Sequence, residues 1–129
     1  LQSCTQNRLL TNQIEISLLH NSAFTNGDLA YLQQHKITPM AWSPLGGGAL
    51  FKDKHTPLWQ KLNSIAKSYD VNPSSVAIAW LIRHPATIMP IMGSNDLQRI
   101  KRLSEALSFD LSREEWFELL QIANGKEVA

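Results

Sequence analysis

The sequence of 129 residues lacks the features that identify several common protein classes. Its single cysteine, Cys4, cannot form an internal disulfide, and no cysteine and histidine residues have the spacing of a zinc site. The longest apolar run, Val76 to Ile82, is far shorter than the roughly 20 residues that a membrane-spanning helix needs. We therefore expect no disulfide framework, no metal site and no membrane span, and the lone cysteine suits the reducing cytoplasm.

Charge is also scarce, and the two signs nearly cancel. Lysine and arginine number 12 against 11 aspartate and glutamate residues, which gives a formal net charge of +1. The basic residues are scattered along the chain, whereas a nucleic-acid-binding surface needs a basic stripe with aromatic residues between the charges. We therefore expect neither nucleic acid nor a membrane as a partner.

The order of predicted strands and helices indicates one α/β domain. The hydrophobic fraction of 43% is enough for a core, and no shift of composition marks a second domain. Alternating apolar and polar residues predict a strand over Thr11 to Leu19, and two more are predicted over Ile37 to Ser43 and Thr87 to Met92. Helices are predicted over residues 25–36, 58–69, 73–84 and 94–107 and from Ser112 onward. The predicted helix caps are Thr25 with Asp28, Asn72 before Pro73, and a capping box of Ser112 with Glu115. The helix over 73–84 is apolar almost all round, so we expect it to be buried. Strands that alternate with helices imply right-handed crossovers and a parallel sheet.

Three parallel strands do not complete a sheet, because they leave two edges with unpaired backbone groups. The first strand also directs Gln13, Glu15 and Ser17 to one face, where these polar groups need partners. The sequence begins with Leu1 rather than methionine. These features predict an arc of a larger barrel, and we expect the chain to be part of a longer protein.

Three motifs lie at the carboxyl ends of the predicted strands or in the turns that follow. They are Thr11 to Ser17 (TNQIEIS), Ala41 to Gly48 (AWSPLGGG) and Pro90 to Ser94 (PIMGS), the last followed by Arg99. In this order and spacing they resemble the aldo-keto reductase family, in particular its bacterial branch with a WSPLGGG loop. The resemblance implies an α/β fold, the C-terminal part of a (β/α)8 TIM barrel with strands six to eight and their helices. Residues 1–129 would then form one partial reductase domain.

The same resemblance implies an oxidoreductase that transfers a hydride between NADP(H) and a small-molecule carbonyl or alcohol substrate. The catalytic Asp, Tyr, Lys and His of the family lie on earlier strands, so no residue of this sequence is identified as catalytic. The chain would supply cofactor-binding elements only and would be inactive alone. The alternative is a truncated, inactive remnant that acts as a nucleotide-binding or interaction module. A dinucleotide-binding domain of another kind would need a glycine fingerprint after an early strand, which is absent.

Two residues resemble those that hold the nicotinamide in the family. Gln13 matches the position that binds the carboxamide, since its amide both donates and accepts hydrogen bonds. Trp42 matches the aromatic residue that stacks on the nicotinamide ring. The alternatives are an inward-facing glutamine satisfied by neighbouring strands and a tryptophan in the core. Glu15 is expected to be a buried structural partner rather than an acid or a base.

The loop that lies along the cofactor pyrophosphate in the family corresponds here to Ser43, Leu45, Gly46 and Gly47. Glycine tolerates positive φ and lets backbone amides approach phosphate oxygens. A glycine-rich turn is weak evidence alone, and the lysine with serine or threonine that a P-loop requires does not follow it. The alternative is a flexible connection.

The turn that binds the 2′-phosphate of the adenosine ribose in the family corresponds to Gly93, Ser94 and Asn95. It precedes a predicted helix, whose free amides and dipole favour an anion. Arg99 follows within that helix and can pair with phosphate through its planar guanidinium. The alternatives are a plain helix cap at Ser94 and a solvated charge at Arg99. Gly93 stands where many members of the family carry lysine, which removes one positive charge.

The other aromatic and titratable residues carry no predicted chemistry. The tryptophans at 59, 80 and 116 have apolar helical spacing and are predicted to pack in the core. The histidines at 20, 35, 55 and 84 form no cluster, and we expect surface or capping roles for them.

Overall fold

This computed structural model describes residues 6–93 and 95–125, except for the side chains at 102 and 103. The described part contains a parallel sheet of three strands and five α-helices. The strands are β1 (Thr11–Glu15), β2 (Thr38–Trp42) and β3 (Met89–Pro90). The helices are α1 (Asp28–Gln34), α2 (Pro57–Tyr69), α3 (Pro73–Ile82), α4 (Leu97–Ser104) and α5 (Arg113–Asn124). Short 3-10 segments span Ser22–Phe24, Gly46–Phe51 and Glu105–Leu107. The strands lie in the order β1, β2, β3, so the parallel sheet predicted from the sequence is confirmed.

β1 is shorter than predicted, because a tight turn replaces its second half. The backbones of Ser17 and His20 exchange two hydrogen bonds, and the Ser17 hydroxyl oxygen accepts the N–H groups of Leu19 and His20. Ser17 is buried in this turn, beyond the end of β1 at Glu15, so the predicted strand does not extend to it. Ile16 and Leu18 continue the apolar alternation beyond the strand, because both side chains are buried in the core although they lie outside β1.

β3 is also shorter than the predicted strand over Thr87 to Met92. Thr87 has a φ of 59°, a left-handed conformation that interrupts an extended strand before Met89. Pro90 has no N–H to donate, and the next ladder bond runs from the N–H of Ile91 to the carbonyl oxygen of Ala41. Within residues 6–93 and 95–125, β3 is a two-residue strand that lies beside β2.

The helix starts follow local capping chemistry. Thr56 caps α2 and Asn72 caps α3, each side chain accepting a backbone N–H from the first turn, and a proline follows each cap. α5 begins with the predicted capping box, in which Ser112 accepts the N–H of Glu115 and the Glu115 carboxylate accepts the N–H of Ser112. The caps at Asn72 and Ser112 match the sequence prediction, because they depend on neighbouring residues alone.

α1 begins differently from the prediction. Thr25 was expected to cap it, but the Thr25 hydroxyl donates to the carbonyl oxygen of Ser22, and Gly27, with a φ of 95°, holds the cap position. A short polar side chain near a helix start can satisfy an earlier turn instead, which sequence spacing does not reveal.

The helices cover one face of the sheet and leave the other open. Pro39 and Ala41 of β2 point to the covered face and are buried beneath the helices. Residues 75–81 of α3 are buried all round, as its apolar composition predicted. The core therefore lies between this face and α2, α3 and α5.

Two stacked tryptophans join α3 to α5. The ring centroids of Trp80 and Trp116 are 5.0 Å apart, and the ring planes differ by 11°. The indole N–H of Trp80 donates to the carbonyl oxygen of Trp116 at 3.1 Å, and that of Trp116 donates to the carbonyl oxygen of Trp80 at 2.8 Å. The predicted packing role of these two residues is confirmed, and each polar indole group is satisfied.

Candidate functional site

The open face of the sheet carries the two residues predicted to hold the nicotinamide. Gln13 is in register with Met40, and Glu15 with Trp42, while Met40 is in register with Met89. Partners in register share a face, so all five side chains belong to the open face. Trp42 is 44% exposed and Met89 is 51% exposed. Trp42 is therefore not a core residue, and the sheet brings it onto one surface with Gln13.

Glu15 lies at the carboxyl end of β1, beside Trp42, and is only partly buried. Its carboxylate oxygen is 3.7 Å from Nδ1 of His20, a pair that becomes ionic when the imidazole is protonated. The turn between Ser17 and His20 brings His20 back to the end of the strand. Sequence spacing missed this neighbour, and the alternation beyond Glu15 gave no signal that the strand had ended.

The loop after β2 adopts the positive φ angles that its glycines predict. Gly46, Gly47 and Gly48 have φ angles of 64°, 63° and 87°, and Ser43 has a φ of 48°. Within the loop, the N–H of Gly46 donates to the Ser43 carbonyl oxygen at 2.9 Å, and the N–H of Gly48 donates to the Leu45 carbonyl oxygen at 3.2 Å. These two amides are used by the loop itself, so phosphate oxygens would need other donors.

Gly46 also packs closely against the preceding turn. A Cβ atom added at this position would lie 3.0 Å from the side-chain Cδ1 of Leu19, whereas one added at Gly47 would meet nothing within 4 Å. At position 46, both the left-handed backbone and the close contact with Leu19 favour glycine. At position 47, only the left-handed backbone favours it.

The segment between β3 and α4 is less enclosed than the prediction implied. Gly93 and Asn95 are exposed, and Ser94 lies outside the described residues. An added Cβ at Gly93 would meet nothing within 4 Å, and its φ is not positive, so no local constraint demands glycine there. The predicted helix start is too early, because α4 begins at Leu97.

Asp96 and Arg99 place opposite charges at the start of α4. The Asp96 side chain accepts the N–H of Gln98 at 2.9 Å and thereby caps the helix. Its carboxylate occupies the end of the helix dipole that was expected to favour a phosphate. Arg99 is exposed and forms no ion pair within residues 6–93 and 95–125. The guanidinium of Arg99 is thus exposed in the first turn of α4.

In the part of the chain that the structure describes, no three histidine, cysteine, aspartate or glutamate residues could hold a metal ion together. No helix within that part is long and apolar enough to cross a membrane.

A model of the aldo/keto reductase family matches residues 2–124 of the sequence. The chain belongs to this family. The resemblance of the three strand-end motifs is thereby confirmed.

The curated reductases that the chain resembles are longer than it is. It is 54% identical over 129 residues to the 6-dehydroglucose reductase of Agrobacterium fabrum, with 100% of the chain and 43% of that protein aligned. It is 38% identical to the oxidoreductase YdhF of Escherichia coli, with 99% of the chain and 44% of that protein aligned. The chain therefore spans less than half the length of the curated relatives that it matches.

Solved aldo-keto reductases share the fold. The thermostable reductase Tm1743 superposes with a TM-score of 0.84 at 22% identity, over 94% of the chain and 42% of the reductase. A Klebsiella pneumoniae reductase in complex with NADP and acetate superposes with a TM-score of 0.76 at 25% identity, over 88% of the chain and 39% of that reductase. These enzymes are (β/α)8 barrels, and the chain corresponds to part of one. The bound NADP supports the cofactor predicted from the sequence.

Proposed function

We propose that the chain is the NADP(H)-binding part of an aldo-keto reductase that transfers a hydride between nicotinamide and a carbonyl or alcohol substrate. Residues 1–129 form one partial domain with strands six to eight of the barrel and their helices. One observation carries the proposal: Trp42 is exposed at the carboxyl end of β2, on the same face as Gln13. An exposed tryptophan on the same face of the sheet as a polar amide is suited to binding a flat, polar ring.

Two side chains of this face hold the nicotinamide end of the cofactor. The Trp42 ring provides a stacking surface, and the Gln13 amide donates to and accepts from a carboxamide. When bound, the reduced nicotinamide supplies the hydride that a carbonyl carbon accepts. Stacking on one side leaves the other side of the ring free to face the substrate.

Two loops hold the phosphates. Ser43, Leu45, Gly46 and Gly47 lie along the pyrophosphate, and their turn is compatible with a close approach of backbone to ligand because its glycines have positive φ. Gly93, Ser94, Asn95 and Arg99 hold the 2′-phosphate. Arg99 carries most of this recognition, because the Asp96 carboxylate repels an anion at the same helix end.

The substrate class follows from the relatives. Two of them, from Agrobacterium fabrum and Novosphingobium aromaticivorans, are named 6-dehydroglucose reductase. We propose 6-dehydroglucose as the first substrate to test. The 129-residue chain alone does not turn it over, since no residue here matches the catalytic tetrad of the family. We place the protein in the cytoplasm.

Calorimetric titration of the chain with NADPH tests the cofactor site. We expect saturable binding that Trp42→Ala weakens about tenfold, because an aromatic stacking contact is worth roughly one kcal/mol and burial of the ring adds to it. Trp59→Ala is the matched control, since this tryptophan lies on α2, outside the candidate site. Equal losses in the two variants, or a folded chain that binds no NADPH, would contradict the proposal.

Phosphate recognition and activity are tested separately. Arg99→Gln should remove the preference for NADPH over NADH, whereas Arg8→Gln, a change of an exposed arginine in another region, should preserve it. NADPH oxidation with 6-dehydroglucose should be absent for the isolated chain. Turnover by that chain would show that the residues needed for catalysis lie within it.

A further inference from the structure

A cavity of about 530 Å³ lies outside the residues proposed to hold the cofactor. It is bounded by the segment Ser22–Phe24, the carboxyl end of α3 and the outer side of α5. The side chains that define this aromatic pocket are Phe24, Arg83, His84, Arg113, Trp116 and Phe117. Its volume is within the range of about 300–1,000 Å³ that small-molecule sites occupy.

The walls of the aromatic pocket are flat rings held in place by their neighbours. Phe24 meets Trp116 edge-on at a centroid distance of 5.7 Å and meets His84 edge-on at 4.9 Å. Trp116 is fixed in turn by its stack and two hydrogen bonds with Trp80. An aromatic ligand would thus enter a surface that is already ordered, so little side-chain entropy would be lost on binding.

The charge on these walls is positive. The guanidinium carbon of Arg113 lies 5.7 Å from the ring centroid of Phe117, and Nε of Arg83 donates to the carbonyl oxygen of Leu111. That bond leaves four N–H donors on Arg83. No aspartate or glutamate lines the pocket, and neither arginine forms an ion pair within the described residues. The pocket therefore complements a negative charge.

His84 adds a neutral donor to the same walls. Its Nδ1 accepts the N–H of Ala86 at 3.0 Å, so a neutral ring carries its proton on Nε2. Burial lowers the pKa of His84, which favours that neutral form near pH 7. The hydrogen bond thus selects a tautomer whose Nε2–H makes no hydrogen bond to the residues that the structure describes.

We propose that the aromatic pocket binds a small aromatic carboxylate, with its ring packed against the surface formed by Phe24, Trp116 and Phe117 and its carboxylate on Arg113, assisted by Arg83. Aromatic walls alone would accept any flat apolar molecule, whereas the two guanidiniums select the anion. This site shares no residue with the proposed cofactor site, so either can fail independently of the other.

The test compares 2-naphthoate with its uncharged counterpart 2-naphthamide, by calorimetric titration of the full 129-residue chain. We expect naphthoate to bind at least about tenfold more tightly, because a charge-assisted hydrogen bond to guanidinium is lost in the amide. Arg113→Gln should remove most of this preference, and Arg83→Gln a smaller part. Arg113→Lys should retain some preference, which separates loss of charge from loss of fold.

Two matched variants complete the test. Arg8→Gln removes a guanidinium outside the pocket, and Trp42→Ala removes an exposed aromatic ring from the open face of the sheet. Neither should change naphthoate binding. Equal affinity for the acid and the amide, absence of binding by the folded chain, or loss of naphthoate binding in Trp42→Ala would each overturn the proposal.

Discussion

The two faces of the sheet differ sharply, although the same strands build both. Ala41 and Trp42 are consecutive residues of β2, yet Ala41 is fully buried beneath the helices and Trp42 is 44% exposed. Successive side chains of a strand point to opposite faces, so one strand can serve both a core and a ligand surface. The covered face forms part of the hydrophobic core. The open face is where we place the nicotinamide.

This division teaches that residue type alone does not indicate role. Trp80 and Trp42 are both tryptophans, but Trp80 satisfies its indole N–H on α5, whereas Trp42 lies on the open face of the sheet. Changes on the covered face should therefore alter stability, and changes on the open face should alter ligand binding.

The largest expected effect contrasts these two tryptophans directly. Trp80→Ala should lower the free energy of unfolding by about 3–5 kcal/mol, because it empties a fully buried site, whereas Trp42→Ala should change it by less than about 1 kcal/mol. Urea unfolding followed by far-UV circular dichroism measures both. Similar losses in the two variants would break the distinction between the faces.

A smaller effect should come from the hydrogen bonds between α3 and α5. Trp116→Phe removes the indole N–H that donates to the carbonyl oxygen of Trp80 and should lower the free energy of unfolding by about 1–3 kcal/mol. Trp59→Phe is the matched control and should cost less, because its indole N–H makes no hydrogen bond within residues 6–93 and 95–125. A loss as large in the control would show that ring size, not this hydrogen bond, matters.

The helix cap of α5 should contribute still less. Ser112→Ala breaks the capping box and should cost about 1 kcal/mol of unfolding free energy, since an N–H of the first turn loses its acceptor. Ser64→Ala, at an exposed position inside α2, should slightly raise the free energy of unfolding, because alanine has a higher helix propensity than serine. The urea midpoints of the two variants should therefore move in opposite directions.

The smallest effect should be a pH dependence from His84. Burial depresses its pKa in the folded chain, so below the unfolded value of about 6.5 the unfolded chain binds more protons. This contribution to stability is complete above about pH 6.5 and is lost as the pH falls through the folded pKa. His84→Gln should remove most of the pH dependence of the urea midpoint between about pH 5 and 7. His55→Gln, at an exposed position, should leave that dependence unchanged. A flat profile in the unchanged chain would contradict the assignment.

Features that depend on neighbouring residues were predictable from the sequence. The capping box at Ser112 and Glu115 and the all-round burial of α3 follow from spacing and composition. The open position of Trp42 was predictable only through the family resemblance, because an aromatic residue at a strand end is otherwise more often part of a core. The parallel pairing of the strands followed from the alternation of strands and helices.

The turns that end the strands were not predictable. The alternation beyond Glu15 indicated a continuing strand, but the turn closed by Ser17 buries the same apolar side chains without joining the sheet. The approach of His20 to Glu15 follows from that turn. Likewise, the left-handed backbone conformation of Thr87 shortens β3, although the composition of residues 87–92 suits a strand. In each case a local turn of the backbone ended a strand that the residue pattern would have continued.

The contact between Gly46 and Leu19 has a consequence for protein engineering. A loop transplanted after β2 from another reductase will fit only if the residue at position 46 tolerates a φ of 64° and leaves room for the Leu19 side chain. An alanine there would meet both obstacles, and shortening Leu19 would remove only one of them. Segments 17–20 and 43–48 should therefore be exchanged together, as one cassette, when the cofactor preference or substrate range of such an enzyme is redesigned.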